Sequence, residues 1–279
     1  MALRIWHQSF TVLGDLPAYV DALKERIAQV VTPGTEVVLH GQVPGTYTSE
    51  YPGTDLGYNF LYRLHELQWA AAAREAERQG FDAMVLASVP SPMIRELRTL
   101  VNIPIVGYGE TAFNLAGLYG RKVGMLFFNV NRHDFWLEQV RQWGVAERFA
   151  GIAPAGVTFD DVVSAHVDSS KLQGVVDRIV ASGEKLAREA GADVIVPGEM
   201  PMNLLLAKAG VHHIGGATVI DGIATCFKMA ETLVGLKQVA GMTPSQRGYF
   251  HAQPPAERVE QVLQFYGLQD LGKRIPEAK

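Results

Sequence analysis

The sequence predicts an α/β protein made of two pseudo-symmetric parallel-sheet α/β domains with an inter-domain cleft. Three observations predict it. One stretch occurs twice, as F-D-A-M-V-L-A-S-V-P-S-P at 81–92 and A-D-V-I-V-P-G-E-M-P-M at 192–202, each preceded by A-R-E-A. The copies keep one register: the offset from Asp82 to Asp193 equals that from Ser88 to Glu199 and that from Glu110 to Asp221. The N-terminal segment reads strand, helix, strand, and such a βαβ unit implies a parallel sheet with a right-handed crossover. We expect one domain from 1–112 plus about 223–279, and the other from 113–222.

In order along the chain, 3–10 reads as a strand running into a polar turn. Apolar residues at Leu16, Val20, Leu23, Ile27 and Val30 make one face of a helix over 16–31. A strand follows at 35–40. The Gly-, Pro-, Ser- and Thr-rich stretch 41–57 carries Tyr47, Glu50 and Tyr51. It is long for a connector, and such loops are often functional. A helix is expected at 58–79. The apolar run 83–87 reads as a strand buried on both faces. Ser91-Pro92 reads as a helix N-cap followed by proline at the first helical position. A strand at 103–106 leads to a helix starting at Glu110.

The second half repeats the plan, with strands at 122–128, 194–196 and 217–220 and a short extended segment near 152. Helices are expected at 134–143, 169–190, 203–209 and 222–236. After an irregular stretch at 242–255, an amphipathic helix is expected at 257–266.

Bulk composition narrows the function. With 279 residues, 48% hydrophobic and 19% charged, the chain is that of an ordinary globular protein. A net charge of -4 without a Lys/Arg cluster argues against nucleic acid or an acidic membrane surface. Cys226 is the one cysteine, which excludes an internal disulfide and a cysteine zinc site. No apolar run reaches the ~18 residues of a membrane span, and the N-terminus lacks a signal-peptide core. A cytoplasmic location is the expectation, with a small-molecule substrate and a homo-oligomeric state, the tail and final helix being its candidate contacts. The eight histidines show no metal-ligand spacing, and no phosphate loop occurs. No metal and no cofactor are expected.

Ligands of open α/β sheets bind at the carboxyl ends of strands. Ser88, Glu110, Glu199 and Asp221 all fall at such ends, so facing halves would ring one cleft with them.

The sequence resembles the aspartate/glutamate/hydantoin racemase superfamily, which includes maleate isomerase and arylmalonate decarboxylase. The resemblance rests on the two stretches above, on I-P-I-V-G-Y-G-E-T-A at 103–112 and on V-I-D-G-I-A-T-C-F-K-M-A-E at 219–231. It runs from Arg4 to about Leu236. It implies two pseudo-symmetric domains with the site between them, and racemisation or isomerisation of small carboxylates or cyclic imides without a cofactor. It also implies two cysteines, one on each face of the substrate. Here those positions hold Ser88 and Glu199, and Cys226 falls in a helix where a core role is expected. A serine hydroxyl is too weak an acid to replace a tuned thiol. The resemblance therefore implies the fold but not a two-thiol racemase.

Glu199 is the leading catalytic candidate, a carboxylate whose apolar neighbours would favour a raised pKa. The competing reading is a helix cap, for which Glu is a poor residue. Ser88 is either a nucleophile or a hydroxyl that orients substrate; a plain turn serine is the alternative. Gly198 and Met200 flank Glu199 and are expected to touch substrate. Gln8 and Ser9, at the turn where the family reads N-P-N-S/T, would give donors to a carboxylate. Phe127, Phe128 and Asn129 hold the matching turn of the second half and suggest a substrate with an apolar portion. Tyr47, Tyr51 and Tyr108 would add to such a pocket. Glu110 is either a substrate contact or, like Asp221, a helix cap. The leading functional reading is a cofactor-independent isomerase or lyase on a small carboxylate or small cyclic amide, imide or lactone. A Ser88/Glu199 hydrolase and a non-catalytic small-molecule binder are the alternatives.

Overall fold

The computed structural model describes residues 3–49, 51–128 and 132–277. Two sheets organise the chain. The first contains β1 (Arg4–Gln8), β2 (Glu36–His40), β3 (Ala83–Leu86) and β4 (Ile105–Gly107), in the order β2-β1-β3-β4 and all parallel. The second contains β5 (Val123–Phe127), β6 (Phe149–Pro154), β7 (Val194–Pro197), β8 (His213–Ile214) and β9 (Ala217–Val219). Its order is β6-β5-β7-β9-β8, with only β8 antiparallel. The central strands β3, β5 and β7 are buried at every residue, as continuous apolar runs require when helices cover both faces.

Helices α1 (Pro17–Val30), α2 (Gly53–Leu56), α3 (Asn59–Arg78) and α4 (Ile94–Leu100) serve the first sheet. Next come α5 (Tyr108–Ala116), α6 (His133–Gln142), α7 (Phe159–Val167), α8 (Leu172–Ala190) and α9 (Met200–Lys208). The long α10 (Gly222–Ala240) returns to pack on α1, α5, β3 and β4. The last helix, α11 (Ala256–Phe265), buries none of its residues. Among the described residues no helix is long and apolar enough to cross a membrane.

The duplication read from sequence is visible in the pairing. Removing β8 leaves β6-β5-β7-β9, the same spatial order as β2-β1-β3-β4. The paired aspartates do the same job. Asp82 accepts the Arg4 amide at 2.8 Å, and Asp193 accepts the Arg121 and Lys122 amides at 3.0 and 2.7 Å. Each thus fastens the start of the neighbouring strand.

The shared register then breaks. Met84 and Ile195 are equivalent by the repeat, and they pair with Ile105 in the first sheet and Val219 in the second. The step from Ile195 to Val219 is the longer one, and the β8–β9 hairpin supplies the difference. The structural counterpart of Asp221, the N-cap of α10, is therefore Gly107, the N-cap of α5, and not Glu110.

Other expectations are also corrected. Ser91-Pro92 does not open α4, which starts at Ile94. The Ser91 amide bonds to Ser88 O at 3.0 Å, closing a tight turn that places Ser91 at φ 51° and Met93 at φ 49°. That left-handed backbone is unusual outside glycine. Helix α7 was unexpected; a capping box between Thr158 and Asp161 starts it.

Candidate active site

The carboxyl ends of β1, β3, β5 and β7 converge on one cavity of about 70 Å³. Ser9 and Thr11 follow β1, Ser88 to Pro90 follow β3, Phe127 ends β5, and Glu199 to Pro201 follow β7. Tyr19 of α1, the segment around Tyr51 and Leu56, Arg132 and Phe159 complete the wall. The space admits only small ligands; pockets for drug-sized molecules are ~300–1,000 Å³. A larger hollow of about 590 Å³ lies between α3 and 253–273, away from the strand ends.

Glu199 occupies the N-cap position of α9, with extended backbone at φ -143° and ψ 135°. Its side chain makes no capping hydrogen bond. Pro201 at the second helical position removes one of the two amides that a cap side chain can use. The carboxyl keeps contact with the cavity, but protein surrounds it, and the cavity wall mixes apolar Phe127, Met200, Pro201 and Leu56 with Ser88, Tyr19, Tyr51 and Arg132. Burial pushes its pKa up to about 8, with the Arg132 charge pulling in the opposite direction.

Arg132 precedes α6, with its guanidinium 4.3 Å from the Phe135 ring centre and 5.7 Å from that of Tyr62. Burial pulls its pKa down, and Tyr62, Glu199 and Tyr51 push it back up; a guanidinium stays protonated. The Tyr19 and Tyr51 phenols are held neutral, above the usual range, by burial first and the Glu199 charge second. The Tyr51 ring stacks on Phe159 at 4.9 Å.

Of the residues singled out from sequence, Glu199, Ser88, Ser9, Met200, Tyr51 and Phe127 line this cavity together. Among the described residues the Ser88 hydroxyl has no hydrogen-bond partner, and no histidine or lysine lines the cavity. Ser9 Oγ lies 2.7 Å from Thr11 Oγ1.

The rest are placed elsewhere. Gln8 is fully buried and committed: it accepts the Trp6 indole N–H at 3.0 Å and donates to Gly41 O at 2.9 Å. Tyr47 packs in the core behind the first sheet, 5.0 Å from the His65 ring, while Tyr51 from the same loop reaches the cavity. Tyr108 donates within the protein, to Asn203 Oδ1 at 2.8 Å and Pro197 O at 3.0 Å, bracing the turn that carries Glu199. Glu110 is gripped by Arg98 at 2.6 and 3.0 Å, outside the cavity. Phe128 packs on Phe159 and Tyr51 behind the wall; Phe127 forms the wall instead. Gly198 shapes the turn: a Cβ there would fall 2.4 Å from Leu126 O and 2.7 Å from the Phe127 ring. Asn129 lies outside the described residues. Cys226 is buried in the core.

Sequence reasoning missed Arg132, Tyr19 and Phe159. The available signal for Arg132 is its place just past 127–129, the stretch that the sequence matches to the segment after β1. Among the described residues no group of three or more His, Cys, Asp or Glu side chains gathers to hold a metal.

Comparison with known proteins gives the family. The Asp/Glu/Hydantoin racemase family model matches residues 17–230. A hydantoin racemase of Rhizobium meliloti is 25% identical over 166 residues, 59% of this chain and 65% of that one. A hydantoin racemase of a Pseudomonas strain is 24% identical over 58% of this chain and 62% of its own. The chain thus spans less than two thirds of either relative. Among solved structures, an allantoin racemase from Klebsiella pneumoniae has TM-score 0.70 at 21% identity, covering 90% of this chain and 94% of the other. One from Pseudomonas fluorescens has TM-score 0.68 at 23% identity, with 90% and 97% covered. At those identities the likeness shows a shared fold. With its family match extending over most of the sequence and two sheets converging on one cavity, the chain belongs to the Asp/Glu/hydantoin racemase family.

Proposed function

We propose that the protein is a cofactor-independent isomerase that moves a proton at a carbon beside a carbonyl group of a small substrate. The substrate is a carboxylate or a small cyclic amide or imide, the class to which the rings named in the hydantoin and allantoin racemases belong. Glu199 is the acid/base. Its ionised carboxylate takes the C–H proton, the C–H electron pair becomes an enolate, water on the opposite face gives the enolate a proton, and the Glu199 carboxylic acid releases its own proton to solvent. One observation carries this reading: a carboxyl at the strand-end turn of the cavity, free of any capping duty and held by burial at a pKa of about 8. A base poised near the working pH is what general catalysis needs.

Ser88, from the other half of the duplication, orients the substrate or hydrogen-bonds the developing oxyanion. Unlike groups on the two sides favour a reaction that uses a base on one face and a hydroxyl or water on the other. Hydrolysis through Ser88 has less support, because among the described residues no histidine or lysine of the wall stands ready to take its proton. The test is turnover of single enantiomers of 5-substituted hydantoins, allantoin included, and of small chiral carboxylates in deuterium oxide. Deuterium should enter the stereocentre with wild-type protein and not with Glu199→Gln. Full exchange by the variant, or solvent oxygen appearing in the product, would overturn the reading.

A further inference from the structure

Proton transfer by Glu199 assigns no substrate contact to the cation in the same cavity. Arg132 lines the wall, its position set by the faces of Phe135 and Tyr62. Two other partly buried arginines near the strand ends each face a carboxylate: Arg26 holds Asp221 and Arg98 holds Glu110, both at 2.6 Å. Among the described residues Arg132 forms no such pair, and Glu199 is the one carboxylate of the wall. With its pKa near 8, Glu199 is mostly the neutral acid around pH 7. Among the described residues no carboxylate lies within ion-pair distance of the guanidinium, so the wall presents a positive charge without a partner, a costly state for a group withdrawn from water.

We infer that Arg132 is a specificity-determining residue that pairs with a carboxylate on the substrate, so that the cleft selects small monoanionic carboxylates over neutral amides of the same shape. The planar guanidinium offers paired N–H donors that match a carboxylate's two oxygens. The cavity volume of about 70 Å³ limits the ligand to a few heavy atoms in the enclosed part. This inference rests on the reading of the cavity as the substrate site.

Propionate and propionamide test it, being matched in shape and different in charge. Affinities for both are measured at pH 7 by ligand-observed NMR titration with the full chain, in wild type, Arg132→Met, Arg132→Lys and Glu199→Gln. Wild type should bind propionate about tenfold or more tightly than propionamide, the gain expected of a charge-assisted pair. Arg132→Met should lose that preference with its affinity for propionamide unchanged. Arg132→Lys, which keeps the charge but not the planar fork, should retain part of it. Equal affinities in wild type, no propionate binding at high millimolar concentration, or a preference that survives in Arg132→Met would each overturn the inference. Should Arg132→Met fail to fold by thermal melting, Arg132→Lys decides: an undiminished preference there refutes the guanidinium's role. Glu199→Gln separates the two readings. It should still prefer propionate, so turnover by that variant breaks the acid/base assignment while leaving the anion preference to stand or fall by itself.

Discussion

Glu199 and Asp221 stand in equivalent places and do opposite things. Each is the N-cap of the helix that follows a parallel strand, Glu199 between β7 and α9, Asp221 between β9 and α10, and those strands are neighbours. Asp221 is saturated. One oxygen accepts the Ile223 and Ala224 amides at 3.0 Å and the Asn203 amide group at 2.9 Å; the other accepts Arg26 at 2.6 and 3.1 Å. Glu199 has no capping bond and no ion pair among the described residues, only the charge of Arg132 in the same wall. Partners, not position, separate a structural carboxylate from a reactive one. Asp221 spends both oxygens on amides and a guanidinium and so holds the fold, whereas Glu199, destabilised as an anion by burial, is available as a base.

The strongest way to break this contrast is to remove each charge. Glu199→Gln should lower turnover by about 10²–10⁴-fold, the range of general acid–base catalysis, with circular dichroism unchanged. Near-normal turnover would return Glu199 to a purely structural role.

The same variant should be the more stable protein in alkali. The folded pKa of Glu199, about 8, lies above its ordinary 4.5. The folded state therefore binds the proton more tightly than the unfolded one. Stability from this group is complete below pH 4.5 and is lost as pH rises toward 8. At pH 9 Glu199→Gln should exceed wild type by roughly 3–5 kcal/mol at most, and near pH 5 the gap should nearly close. Urea unfolding at the two pH values checks it; a gap independent of pH would mean that the carboxyl ionises as freely folded as unfolded.

Asp221→Asn should show the reverse pattern. It removes the charge that holds Arg26 and weakens the cap of α10. The expected loss is about 1–3 kcal/mol of stability, with turnover within about tenfold of wild type because the side chain does not line the cavity. A collapse of activity with intact stability would place Asp221 in the chemistry and dissolve the contrast.

Much of this was legible in the sequence where the repeat is undisturbed. The paired stretches put β3 and β7 in one register, which places Ser88 and Glu199 at matching turns on one cavity. Glu110 and Asp221 were paired by the same count, but the β8–β9 hairpin shifts the frame. A fixed offset cannot see an insertion between its landmarks. Gln8 looked available because a polar residue at a strand end usually is; the Trp6 indole, two positions back, claims it. Tyr47 and Tyr51 are indistinguishable by composition, and only packing sends one to the core and the other to the cavity. Arg132 has no periodicity to mark it. Its place in the wall comes from packing, which a single sequence does not display.

Arg132 also offers the finest adjustment of the contrast, because it is the charge that acts on Glu199. Burial raises the Glu199 pKa and Arg132 lowers it. The rate constant kcat/KM should climb with pH and level off near 8 as the free enzyme's base ionises. In Arg132→Met the counteracting charge is gone, so the climb should move to higher pH by roughly one pH unit. At neutral pH that means fewer ionised molecules and a lower rate, apart from any loss in substrate affinity. The direction is diagnostic: loss of a substrate contact alone lowers the whole profile without moving it along the pH axis. A profile that shifts to lower pH would mean that another charge controls Glu199, and the cation's influence would have to be sought elsewhere in the wall.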